Sequence, residues 1–356
     1  MKRRIICLAA AMCLMLSGCS WMDGNYLSVQ PHREQLSGTQ DGVTSAANYQ
    51  QLRQVMTELV EAGYETAVIH VGEYDREQLP NGMENVINYI CNLLPMGAYA
   101  VDSISYDIGT IGGEPAVSVS ISYIHGRSEI RNVQNVTDTA QAKQILGEVL
   151  DQCSDGVVLR VADYVQLDVA QFVEDYAREH PDTVMEVPRV AVGIYPQTGS
   201  ERIIEVEFAY RTRRESLQQM QTQVQRVFDS AALYVSSNAE RSQKYTQLYR
   251  FLMERYDYQI DTSITASYSL LCHGVGDSEA FATVYAAMCA QAGLECQIVS
   301  GTRAGRAWYW NLIRDESGYA HVDLLQSSEK GQFTRLAGTE MQGYVWDYSA
   351  YPEGVG

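Results

Sequence analysis

The chain has 356 residues, 46% of them hydrophobic and 20% charged, an ordinary globular balance that excludes a disordered or low-complexity protein and leaves room for two or three domains. Lys+Arg of 26 against Asp+Glu of 44 gives a net charge of -18, whose field repels a phosphate backbone, so nucleic acid is not an expected partner. Eight cysteines with no Cys-x-x-Cys pair build neither a disulfide scaffold nor a structural zinc site, and no metal or cofactor is expected.

At the N-terminus, Lys2, Arg3 and Arg4 precede an apolar run from Ile5 to Leu16 that is too short to span a bilayer comfortably. Residues 1–18 therefore read as an export signal. The run closes on Leu16-Ser17-Gly18-Cys19, which resembles the bacterial lipobox. That resemblance implies that Cys19 is lipidated and becomes the first residue of the mature chain, held at the extracytoplasmic face of the cell membrane by its acyl chains. Residues 19–48 are rich in Gly, Ser, Gln, Thr and Asp without a sustained apolar period, the pattern of a flexible tether. Apart from Cys7, Cys13 and Cys19, the thiols are Cys91, Cys153, Cys272, Cys289 and Cys296, an odd set. The apolar neighbours of Cys289 and Cys296 predict burial.

The middle of the chain is duplicated. Val68-Ile69-His70-Val71 with Tyr74 matches Val158-Leu159-Arg160-Val161 with Tyr164 at a constant offset of 90 residues. Each copy continues into a helix, predicted from Val86, Ile87, Ile90 and Leu94 in the first and Val169, Phe172, Val173 and Tyr176 in the second. A hairpin follows in each. In the first, Ile104–Ile108 and Val117–Tyr123 flank Gly112-Gly113-Glu114-Pro115; in the second, Val190–Ile194 and Ile203–Tyr210 flank Pro196-Gln197-Thr198-Gly199. A closing helix carries the stripe Leu217, Met220, Val224, Val227, Ala231 and Tyr234. The spacing thus predicts an α+β fold with two strand-helix-hairpin-helix units, over 49–150 and 151–238. His70 and His125 have no partner in the pattern, and the units carry no evident chemistry.

Residues 239–356 form the third expected domain. The blocks Gly274-Val275-Gly276-Asp277-Ser278-Glu279-Ala280-Phe281-Ala282, Met288 to Gly301, Trp308-Tyr309-Trp310-Asn311-Leu312-Ile313, His321-Val322-Asp323 and Met341 to Asp347 follow one another in order. Together they resemble bacterial transglutaminase-like domains, over about a third of the chain. The resemblance implies a papain-like α+β fold in which a helix opens on a nucleophilic cysteine and packs against a sheet carrying histidine and aspartate. The residues fit that frame: Phe281, Val284, Tyr285 and Met288 share a helix face behind Ser278, and Cys296, Ile298 and Ser300 alternate as a strand.

Two matching positions depart from the family pattern. Ser278 stands where the nucleophilic cysteine belongs and Trp308 where the histidine base belongs, while Asp323 keeps the aspartate. A hydroxyl needs a base to become a nucleophile, and an indole accepts no proton. Ser278 also suits a helix cap, and Asp323 suits a hydrogen bond that holds the sheet. Tyr309, Trp310 and His321 are the candidates for an aromatic groove, and His321, two residues before Asp323, is the candidate base for Ser278. The adjacent pair Cys272-His273 cannot face each other across a cleft. The leading expectation is a membrane-anchored extracytoplasmic lipoprotein whose degenerate transglutaminase-like domain is a pseudoenzyme, binding a cell-wall or protein ligand or acting as a scaffold in the cell envelope. The alternatives are an active hydrolase or acyl transferase using Ser278 with a non-standard base, or a protein whose repeated units are its working part.

Overall fold

The computed structural model describes residues 44–260 and 265–351. The export signal, Cys19 and the tether up to residue 43 lie outside the described residues. Ser45 bridges His70 in parallel, and the buried Ala46 donates its amide to the His70 carbonyl at 2.9 Å. Residues 45–48, assigned to the tether on composition, therefore belong to the folded unit, Ser45 and Ala46 at the edge of the sheet and Asn48 as a helix cap; one small apolar residue leaves no periodic signal.

In the first unit, the helix Tyr49–Glu61 is capped by the Asn48 side chain and buries Leu52, Met56 and Val60 along one stripe. Strand β1 (Thr66–His70) leads to helices Leu79–Asn92 and Pro95–Ala100, and then to the hairpin of β2 (Val101–Ile111) and β3 (Glu114–Tyr123). Its turn rests on Gly112 and Gly113, both at positive φ, where a side chain would be strained. The antiparallel sheet has the order β1-β3-β2. Val117, Val119 and Ile121 face the helices, while Ser118, Ser120 and Ser122 form an open outer face.

After the short helix Arg127–Asn132 and strand β4 (Gln134–Asp138), the pattern recurs. Helix Thr139–Asp151, β5 (Gly156–Asp163), helix Val169–Glu179 and the hairpin of β6 (Arg189–Tyr195) and β7 (Arg202–Ala209) repeat the pairing as β5-β7-β6, with β4 added parallel to β5. The 90-residue offset extends to the helix caps. Gln51 Oε1 takes the Ala47 amide at 2.8 Å, and Gln141 Oε1 takes the Thr137 amide at 2.8 Å. Each repeat thus opens on a helix ahead of its first strand, and the second begins one helix earlier than the expected start at 151. Helix Thr139–Asp151, on the near side of the expected 150/151 division, buries Ala142, Leu146 and Leu150 against the second sheet. A helical stripe states that a face is buried but not which sheet buries it.

The second sheet is covered on both faces. Leu159, Val161, Ile204 and Val206 pack with the second unit's helices, whereas Ile203, Val158 and Tyr195 enter the first unit's core. At that seam Tyr99 stacks on His125 at 4.1 Å and meets Tyr195 edge-on at 5.6 Å, and Arg160 reaches Glu61 at 2.8 Å. His125, solitary in the sequence, sits here 3.8 Å from Glu129 and 3.9 Å from Glu205.

The helix Arg214–Tyr234, expected to close the second unit, contributes Leu217, Met220, Val224, Phe228 and Ala231 to the C-terminal core, against Tyr245, Leu248 and Leu252 of helix Arg241–Met253. Two short parallel strands, β8 (Asp257–Tyr258) and β9 (Val275–Gly276), precede the core helix Ser278–Gln291. Strands β10 (Cys296–Arg303), β11 (Arg306–Asp315), β12 (Gly318–Val322) and β13 (Tyr344–Trp346) form an antiparallel sheet ordered β12-β11-β10-β13. Among the described residues no helix is long and apolar enough to cross a membrane.

Candidate functional site

The core helix is buried on nearly every side, through Ala280, Phe281, Ala282, Val284, Tyr285, Ala286, Met288 and Cys289. Its alanines let the sheet approach closely, and the buried Asn311 amide donates to the Ala282 carbonyl at 2.8 Å, pinning β11 to the helix. The capping residue is Asp277, which accepts from the Ala280 amide at 3.0 Å. Ser278, expected as a cap, is instead the first helical residue, because Asp and Ser suit the cap equally and the backbone chose the earlier one. Ser278 is 7% exposed, and its Oγ accepts from the Tyr309 backbone amide at 3.3 Å. Among the described residues no side-chain base lies within hydrogen-bond reach of that hydroxyl.

The residue beside Tyr309 explains the rest of the site. Trp308 donates its indole Nε1–H to Asp323 Oδ2 at 2.8 Å, and the Tyr344 hydroxyl donates to the same oxygen at 2.6 Å. Asp323 Oδ1 accepts the Leu325 and Gln326 amides at 3.0 Å each, capping the helix Leu324–Glu329. The Arg303 guanidinium stands 3.6 Å from Oδ2, lies over the Trp308 ring at 5.2 Å and pairs with Glu329 at 3.0 Å. Burial, then the Asp323 carboxylate, pushes the Tyr344 phenol up. Tyr258 packs beside Trp308 with ring centroids 5.8 Å apart. Asp323 thus holds two side-chain donors, two amides and a cation, and the group it orients is a donor without an accepting lone pair. Trp308 belongs to the packing around that carboxylate and is only partly exposed.

His321 lies elsewhere. It opposes Leu312 across the sheet, and Leu312 packs with Val299, Trp310 and Trp346. Ile313, Ala320 and Val322 instead pack with Phe281, Val284 and Tyr285. Side chains alternate along a strand, so His321 points away from the helix carrying Ser278. Its Nδ1 accepts from the Trp310 indole at 3.0 Å, its ring meets Trp346 at 4.9 Å, and burial lowers its pKa to about 4. The expected base is therefore a neutral core side chain. The expected groove needs the same correction: Trp310 is 1% and His321 2% exposed, and of the three residues only Tyr309 reaches the surface. At that surface the second unit meets the core helix, with Arg178 Nε 3.5 Å from Glu279, while burial and the Glu279 charge push the Tyr309 phenol up.

Arg303, Tyr344, Arg178 and Glu279 were not singled out by sequence. Tyr344 lies in a family-like block, but its role depends on the pairing of Arg303 with Tyr344 and of Gly301 with Trp346 between β10 and β13. Gly301 permits that pairing, since a Cβ there would collide with the Val345 carbonyl and come within 2.9 Å of the Trp310 ring.

Residues 229–350 match the family model of the transglutaminase-like superfamily, about a third of the chain, and this part is a transglutaminase-like domain of mixed helix and sheet. The match begins inside the helix Arg214–Tyr234, ahead of the start at 239 expected from the sequence. Among solved structures the chain is similar to a TGase, with 10% identity, 56% of each chain covered and a TM-score of 0.28. It is also similar to a "putative protease" from Parabacteroides distasonis, with 8% identity, 58% of this chain and 46% of that one covered and a TM-score of 0.23. The chain spans little more than half the length of the first and less than half of the second. No curated protein sequence matches it.

Proposed function

We propose that this protein is a membrane-anchored extracytoplasmic lipoprotein whose transglutaminase-like domain is catalytically silent and serves as a binding or scaffold module of the cell envelope, presented by the two α+β units. One observation carries the silence: the carboxylate that would orient a base is hydrogen-bonded to the Trp308 indole at 2.8 Å. An indole relays no proton, and the Ser278 hydroxyl beside it has a backbone amide as its partner. The buried His321, facing the other side of the sheet, cannot substitute. The partners in this reading are the membrane, through lipid on Cys19, and a cell-wall or protein ligand.

A fluorophosphonate probe tests the silence, because it labels only hydroxyls that a base has activated. Ser278 in the purified protein should label at least about 100-fold more slowly than a serine hydrolase control, the factor a positioned base supplies. Rapid labelling mapped to Ser278 would contradict the reading. The anchor is tested separately by fractionating cells that express Cys19→Ala: the wild type should sediment with membranes and the variant should not. A variant that stays in the membrane fraction at the wild-type level would refute lipidation at Cys19.

A further inference from the structure

Two thiols flank the turn that leaves the core helix of the transglutaminase-like domain, at the end away from Ser278. Cys289 lies on the last turn of the core helix, fully buried, and Cys296 opens β10, partly buried. The intervening turn folds back tightly. Gly293 takes a positive φ, the Leu294 amide returns to the Cys289 carbonyl at 2.9 Å, and the Tyr245 hydroxyl holds the Glu295 carbonyl at 2.5 Å. Cys296 then pairs with Ile313 in the sheet. Both cysteines are free, Cys296 packs against the core cluster that holds Cys289, and its side chain lies near enough to push the Cys289 thiol further up than burial alone.

We propose that Cys289 and Cys296 are a disulfide-forming pair that takes a small-molecule or protein disulfide as its oxidant. Cys296, the accessible partner, attacks as thiolate on one sulfur of RS–SR, forming a mixed disulfide and releasing RS⁻. Cys289 then gives up its proton and attacks the Cys296 sulfur, expelling the second RS⁻. Two cysteine thiols lose two electrons and two protons, and the oxidant leaves as two RSH molecules. Burial pushes the Cys289 thiol well up, so the second step is the slow one and quickens as pH rises. The bond would staple the end of the core helix to the strand that carries Gly301 and Arg303.

The test is a cysteine map of the full-length protein. The folded protein is incubated with glutathione disulfide in mildly alkaline buffer, denatured, alkylated with N-ethylmaleimide and cut after glutamate. Cleavage after Glu279 and Glu295 places Cys272, Cys289 and Cys296 on three different peptides. The expected result is a Cys289–Cys296 link in most molecules, with Cys91, Cys153 and Cys272 alkylated. The Cys289→Ser variant should stop at a glutathione adduct on Cys296. Alkylation of both Cys289 and Cys296 in the wild type, or a persistent glutathione adduct on Cys296 beside an alkylated Cys289, would overturn the proposal. The wild-type map decides the matter even where a buried variant fails to fold.

Discussion

Asp323→Ala is expected to cost the folded protein about 3–5 kcal/mol, the usual loss when one side of a buried charged network is removed. The carboxylate is 2% exposed and accepts four hydrogen bonds, from the Leu325 and Gln326 amides, the Trp308 indole and the Tyr344 hydroxyl. Truncation would strand all four donors and leave Arg303 facing them without its carboxylate at 3.6 Å. Asp323→Asn keeps the volume and one accepting oxygen, so it should lose less; its NH₂ would still confront the indole N–H. Denaturant midpoints at an unchanged m-value measure both. A loss under about 1 kcal/mol for the alanine variant would show that the carboxylate does not organise the site.

The second large effect is on acid stability. His321 has a folded pKa of about 4, lowered from 6.5 by burial. Between those values the unfolded chain binds a proton that the native protein does not, so stability rises with pH across that window and is lost as pH falls through it. Lowering pH from 7 to about 5 should cost about 2 kcal/mol through this residue alone. His321→Gln keeps an acceptor for the Trp310 indole and removes the titration. The difference in unfolding free energy between wild type and variant should therefore shrink by about 2 kcal/mol over that interval. A constant difference would mean that His321 titrates normally and is more accessible than its 2% exposure indicates.

Local chemistry made much of the fold legible. The Gly112-Gly113 turn between alternating strands, the 90-residue repeat and the apolar face behind Ser278 are all periodic or turn signals, and each corresponds to an observed element. What escaped was the choice of partner. Helix Arg214–Tyr234 shows a buried stripe, yet nothing local states that the stripe belongs to the C-terminal core. His321 and Asp323 stand two residues apart, a spacing that suggests one strand face, but the strand ends at Val322 and Asp323 caps the following helix. Both Leu312 and Ile313 of the neighbouring strand are buried, so the pattern could not say which face meets the Ser278 helix. Arg303 reaches the site through pairing with a strand about forty residues further on, a relation without a local signature.

Gly82 and Gly147 add a related lesson. Each lies inside a helix, where glycine usually signals a break, yet a Cβ would meet the Tyr74 hydroxyl at Gly82 and the Tyr176 ring, at 2.6 Å, at Gly147. The glycines make room for tyrosines that pack against these helices, which only the tertiary structure reveals.

In the proposed function the Trp308–Asp323 hydrogen bond, 2.8 Å long, occupies the place of a working base and leaves Ser278 inert. The deciding measurement is amine incorporation and peptide hydrolysis by the purified wild type beside Ser278→Ala. The expected result is two indistinguishable rates at the level of the buffer blank. Turnover by the wild type that disappears in Ser278→Ala would contradict the proposed function and establish a serine mechanism in this site.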